Sequence, residues 1–123
     1  MVIAYWILAG LLAVVYIAAG GMKVAQPPAK LAASGLAWAG DFPAWSVKTI
    51  GLLEVLGGVG LILPALTGIV PVLSPVAAVA LGVVQVGAII THLVRGEAKM
   101  LPANIVLLLL AVAAAWIGFL TWV

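Results

Sequence analysis

The sequence contains no cysteine and a single histidine, His92. Without cysteine the chain forms no disulfide and offers no thiolate for metal binding or thiol redox chemistry. One imidazole also excludes a metal site that takes two histidines from one chain. The sequence therefore predicts neither a metal site nor a catalytic residue.

Charged residues are scarce, at 7% of 123 residues, whereas a soluble domain has about 25%. So few charges cannot cover the surface of a soluble protein, and 67% of the residues are hydrophobic. The net charge of +2 is small and indicates no basic face for nucleic acid. We therefore expect a membrane protein that binds no nucleic acid.

Four apolar segments fill most of the chain, and each is close to the roughly 20 helical residues that cross a bilayer. They span Val2–Met22, Pro43–Leu63, Val72–Val94 and Pro102–Trp122. Almost nothing remains for a soluble domain. The fold class predicted is all-α, an integral membrane four-helix bundle formed by one domain over residues 1–123.

The first segment has no basic region before it and is longer than the apolar region of a signal peptide. We interpret it as a retained helix, the alternative being a cleaved signal. Tyr5 and Trp6 near its start are typical of side chains that anchor a helix at the membrane interface.

The connections between segments differ in charge. The first carries Lys23 and Lys30, the third carries Arg95 and Lys99, and the second carries no charge. Basic connections favour the cytoplasmic side. This predicts a multi-pass protein of the cell inner membrane with both termini outside.

The first connection is the longest. Gln26-Pro27-Pro28 ends the first segment, because proline cannot continue a helix. The following Ala29–Trp38 is either a short helix lying in the membrane interface or a plain spacer.

Glu54 is the most informative residue, because a carboxyl group at the centre of a membrane helix costs at least about 2.5 kcal/mol on insertion. It lies on one helical face with Gly51 and Gly58, and small residues are typical of helix contacts in lipid. Other polar residues lie on similar faces in the membrane half nearer the basic connections. The predicted ligand-binding residues are Glu54, His92, Tyr16, Gln85 and Asn104.

Structural alternatives remain for several of these residues. Gln85 and Asn104 are amides of the kind that hydrogen-bond helix to helix. His92 has the position of a helix-end residue at the interface. We expect Tyr16 or His92 to be the polar partner of Glu54, with Lys23 and His92 as the cations at that end of the bundle.

The sequence resembles the DoxX-like family of small membrane proteins over nearly its whole length. The resemblance rests on Gly51-x-x-Glu54-Val-Leu-Gly-Gly-x-Gly-Leu-Ile-Leu-Pro64, Leu66-Thr-Gly68, Thr91-His92-Leu-x-Arg95-Gly-Glu97, Asn104 with the leucine run after it, and Gly20-Gly-x-Lys23. It implies a four-helix membrane protein in which Glu54, His92 and Asn104 match recurring family residues. Relatives are associated with quinol oxidase, thiosulfate:quinone oxidoreduction or receptor assembly. Gln85 departs from the family pattern.

Two functions follow from these features. The first is a non-catalytic subunit or scaffold that assists a membrane redox or assembly partner and holds a quinone or lipid near Glu54, with no intrinsic cofactor. The second is a small proton-coupled transporter or permease-like protein that uses Glu54 as its site. A self-contained enzyme is the least favoured, since catalysis needs a nucleophile or a paired acid and base. Membrane lipid, such a partner protein and a second copy of the chain are the expected partners.

Overall fold

Four long helices carry the four apolar segments in the computed structural model, which describes residues 1–122. The elements are α1 (Val2–Ala25), α2 (Pro28–Ala33), a 3-10 helix (Ala37–Asp41), α3 (Ala44–Thr67), α4 (Leu73–Val94), a second 3-10 helix (Ala98–Met100) and α5 (Leu101–Trp122). No strand occurs among these residues. The predicted all-α bundle is confirmed, and α1, α3, α4 and α5 are each long and apolar enough to cross a membrane.

The connection from α1 to α3 is folded rather than extended. Pro28 occupies the first turn of α2, where its missing N–H is not needed. Leu31 of α2, Ala39 of the 3-10 helix and Val47 of α3 form a small buried cluster of their own. A helical connection, rather than a plain spacer, is therefore present between the first two spans.

The end of α3 differs from the prediction. The helix continues through Pro64 to Thr67, although we expected it to end at Leu63. Proline disturbs the backbone hydrogen bonds of a helix, and neighbouring side chains can satisfy the groups it leaves. The Tyr5 hydroxyl donates to the Leu61 carbonyl at 2.7 Å, and the Ala65 N–H donates to Ser74 Oγ at 3.0 Å.

Tyr5 is therefore not an interfacial anchor, which corrects the sequence interpretation. Its side chain is fully buried in the main core. Its ring packs edge-on against Trp6 and Trp122, with centroids 5.6 and 5.5 Å away. Its hydroxyl donates to the Leu61 carbonyl of α3, a partner that no local sequence pattern reveals.

The four long helices form a ring in which α1 packs mainly on α3 and α4 mainly on α5. Contacts between α3 and α4, and between α1 and α5, close the ring. A close approach joins α1 and α3 at Gly20 and Gly51. A Cβ at Gly51 would lie 2.7 Å from the Gly20 carbonyl oxygen, so the two backbones meet where neither residue has a side chain.

The burial pattern agrees with the predicted small-residue faces. Gly51, Glu54 and Gly58 are all buried on α3, whereas Leu56, on the opposite face, is 58% exposed. A Cβ at Gly58 would lie 2.7 Å from Cγ1 of Ile17 on α1. The face that carries Glu54 is thus the face that packs on α1, and the carboxyl group enters the bundle.

Candidate functional site

A cavity of about 350 Å³ lies at the end of the bundle that contains the connections from α1 to α3 and from α4 to α5. Its wall is mostly apolar and includes aromatic side chains from the first connection. All four long helices contribute to it. The polar side chains in its wall are Lys23, Glu54, Gln85, Thr91, His92 and Asn104.

The structure brings together four of the five predicted site residues. Glu54 of α3, Gln85 and His92 of α4, and Asn104 of α5 line this one cavity. Tyr16 of α1 does not line it, but its hydroxyl lies close to both Gln85 and Glu54. The predicted residues thus share one region of the bundle, and Tyr16 lies behind the wall.

The direct partner of Glu54 is Lys23. The Lys23 ammonium donates to Glu54 Oε1 at 2.5 Å, and both side chains are buried, with exposed fractions of 10% and 4%. The expectation that Tyr16 or His92 would be this partner is wrong. Lys23 lies in the last turn of α1, and the close contact of Gly20 with Gly51 brings that turn against α3.

His92, in the last turn of α4, instead belongs to a network at the end of that helix. Its Nδ1 lies 3.0 Å from Glu97 Oε1, and Arg95 Nε donates to the same oxygen at 3.0 Å. An ionised carboxylate only accepts, so Nδ1 carries a proton. Arg95 also pairs with Asp41 of the first connection. The interface position expected for His92 is thus accompanied by a specific carboxylate partner.

The same network stabilises the charged form of Glu97. The hydrogen bond from His92, together with the hydrogen bond and positive charge of Arg95, holds the pKa of the Glu97 carboxyl below its usual value. Burial opposes this effect but does not overcome it. Glu97 therefore stays ionised, and the link between His92 and Arg95 persists at neutral pH.

Two buried polar atoms beside the cavity have no hydrogen-bond partner within the part of the chain that the structure describes. They are the Tyr16 hydroxyl and Gln85 Oε1. Buried polar atoms are nearly always hydrogen-bonded, and because these two groups are neighbours, the hydroxyl can donate to Oε1 after a small side-chain movement. Tyr16 can act as donor or acceptor, and Gln85 Oε1 only as acceptor.

Asn104 does not serve as a link between helices. Its Nδ2 donates to the Met100 carbonyl at 3.1 Å, one turn earlier in the chain. The amide keeps one further N–H and its carbonyl oxygen in the wall of the cavity. The geometry leaves it available to a molecule in the cavity, which the interhelix alternative did not anticipate.

Sequence reasoning missed several residues of the wall. Trp38 and Phe42 contribute aromatic rings, which lie 5.7 Å apart and edge-on. The Lys23 ammonium lies 5.8 Å from the Trp38 ring centroid, within the range of a cation–π interaction. Aromatic residues clustered in an otherwise small-residue connection were the available signal.

The comparisons with known proteins agree with the resemblance described above. A model of the DoxX-like family matches residues 7–114. Neither the curated proteins nor the solved structures contain a match to this chain. The matched range includes every residue of the cavity wall and of the ion-pair network beside it.

Proposed function

The chain belongs to the DoxX-like family, and we propose that this small multi-pass membrane protein binds an amphipathic molecule, a quinone or a lipid, in the cavity beside Glu54. In this role it is a non-catalytic subunit or scaffold for a membrane redox or assembly partner. The observation that carries the proposal is a cavity that combines apolar walls with a buried ion pair.

The size and lining of the cavity fit such a ligand. Small-molecule sites have volumes of about 300–1,000 Å³, mostly apolar walls and a few convergent polar groups. The cavity has about 350 Å³. Quinones and lipids both combine acceptor oxygens, in the ring or the headgroup, with an apolar tail. Lys23, Gln85 and Asn104 provide N–H donors for those oxygens.

The buried ion pair supports binding more than it supports stability. Lys23 and Glu54 together add little stability compared with apolar side chains of similar volume, because both charges lose their hydration. In the cavity wall they present a fixed positive and negative charge to an entering molecule. A polar ligand group can then be oriented by both.

The side-chain partners favour binding over catalysis. An acid and a base that act together must lie within hydrogen-bond reach of the same substrate atoms. Here Glu54 is bonded to Lys23, while His92 is bonded to Glu97 at the rim. Each group is held by a different partner, as expected for a binding subunit.

Ligand binding can be tested on the protein in detergent with decylubiquinone as the probe. We expect saturable quenching of tryptophan fluorescence, since Trp38 lines the cavity. Glu54→Gln should weaken binding about tenfold or more, because Lys23, a donor to the ligand, then loses the carboxylate that fixes its position in the cavity wall. Leu56→Ala, on the exposed face of the same helix, is the control and should bind normally.

Competition separates the two ligand sources. Displacement of decylubiquinone by phosphatidylglycerol in mixed micelles would identify the ligand as a lipid. Saturable decylubiquinone binding that phosphatidylglycerol does not displace would identify it as a quinone. Equal affinity of Glu54→Gln and the native chain, or no saturable binding of either probe, would contradict the proposal. Proton-coupled flux in proteoliposomes without such binding would favour the transporter instead.

The orientation in the membrane is part of the same proposal. The basic connections with Lys30 and Lys99 lie on the cytoplasmic side of the cell inner membrane, and both termini lie outside. Because the chain has no cysteine, Lys30→Cys and Lys99→Cys each introduce a single thiol whose labelling reports the side of the membrane. In intact cells both should resist an impermeant thiol reagent, and labelling of both from outside would reverse the orientation.

A further inference from the structure

One part of the cavity wall comes from outside the long helices. The segment Leu36–Phe42, which contains the first 3-10 helix, contributes Leu36, Trp38 and Phe42 to the lining. The lining also includes His92 of α4, Met100 of the second 3-10 helix and Asn104 of α5. The segment thus forms part of the wall at the end of the bundle that contains the basic connections.

The segment is attached to the bundle by a small hydrophobic contact. Ala39 is fully buried between Leu31 and Val47, and this cluster is separate from the main core. Leu36 and Trp38 pack against the same cluster, and Phe42 follows it in the chain. Because this cluster is small and separate from the main core, the segment can open without disturbing that core.

An ion pair joins the C-terminal end of the segment to the end of α4. Asp41 pairs with Arg95 at the end of α4, and their side chains are 65% and 25% exposed. Arg95 also binds Glu97, which binds His92 in the cavity wall. Ion pairs with this exposure are weak and are screened by salt, so this contact can break and re-form.

We propose that Leu36–Phe42 is a lid on the cavity and that the Asp41–Arg95 ion pair is the latch that keeps it closed. The lid rests on the binding role proposed above, since it controls how molecules enter and leave that cavity. Asp41 and Arg95 are positioning residues, because they act through Trp38 and Phe42 and do not line the cavity themselves. Breaking the latch speeds exchange in both directions.

The lid can be tested without any ligand, because the chain has no cysteine. Ala88→Cys places one thiol in the cavity wall, and its reaction with an uncharged, water-soluble maleimide measures how often the cavity opens. Adding Asp41→Asn should raise the labelling rate about two- to fivefold, the range that exposed ion pairs provide. Because the reagent is uncharged, removing the Asp41 charge does not change how strongly the protein attracts it.

Two controls make the test decisive. Ile69→Cys lies in the α3–α4 connection and is 71% exposed in the native side chain, so Asp41→Asn should leave its labelling rate unchanged. Higher salt should speed the labelling of Ala88→Cys only when Asp41 is present. An unchanged rate in the Asp41→Asn variant, or an equal rise at position 69, would overturn the lid. Decylubiquinone binding is measured separately, so either proposal can fail alone.

Discussion

Lys23→Met is expected to lower the free energy of unfolding in detergent by about 3 kcal/mol, the low end of the range for breaking a buried ion pair. The substitution leaves Glu54 in the middle of α3 without its cation. Glu54 is only 3% exposed, and its short side chain cannot reach the end of the helix. Thermal unfolding followed by circular dichroism measures the loss.

Replacing the other member of the ion pair should cost less stability. In Glu54→Gln the amide still accepts a hydrogen bond, and Lys23, in the last turn of α1, has a long flexible side chain that can move its charge outward. We expect a loss of about 1 kcal/mol. Lys23→Met combined with Glu54→Gln should lose less than the two single changes added together, which a double-mutant cycle reveals.

Lys30→Met is the matched control, since Lys30 is exposed on α2 and its replacement should change stability by less than about 0.5 kcal/mol. Additive effects in the cycle would contradict the ion pair. If Lys23→Met and Glu54→Gln lowered the free energy of unfolding equally, the argument that the Lys23 charge can move outward and the Glu54 charge cannot would be wrong.

Gly20→Ala is expected to destabilise the bundle by about 2 kcal/mol, within the range for overpacking a tight contact. The added Cβ would meet the Gly51 carbonyl oxygen, a backbone atom that cannot turn aside, and Cγ2 of Val55 at 2.9 Å. α1 and α3 must then separate. Because Lys23 lies one turn further along α1, its bond with Glu54 should weaken as well.

The neighbouring glycine supplies the control. A Cβ at Gly21 would meet nothing within 4 Å, and alanine is favoured over glycine inside a helix by about 1 kcal/mol. Gly21→Ala should therefore leave stability unchanged or raise it. The same substitution one residue apart thus has opposite expected effects on the thermal midpoint. If both variants lost stability equally, the contact between Gly20 and Gly51 would not be the close approach described.

The candidate site was partly predictable. Glu54 and His92 were identified because polar side chains are expensive at membrane depth. Their immediate partners were not settled: Lys23 was one of two cations expected near Glu54, but it is 31 residues away in the chain and meets Glu54 only where α1 and α3 pack. Asp41 and Arg95 are 54 residues apart and likewise belong to connections that the sequence leaves unplaced.

The sequence by itself determined the class of this protein and the rough limits of its helices. Scarce charge leaves a chain of this composition no stable place except a membrane, and the apolar segments have the length that a bilayer requires. The helical periodicity also indicated that Gly51, Glu54 and Gly58 share a buried face. These properties depend on local composition and spacing, which the chain carries in any conformation.

Only the tertiary structure decided which polar groups meet. Continuation of α3 through Pro64 depends on Tyr5 and Ser74 from other helices, and the pairing of Glu54 with Lys23 depends on the approach of two glycines. Lipid gives apolar helices little preference among neighbours, so close packing and a few hydrogen bonds choose the arrangement. Those choices depend on the fit of whole helix faces, and short-range patterns in the sequence do not contain them.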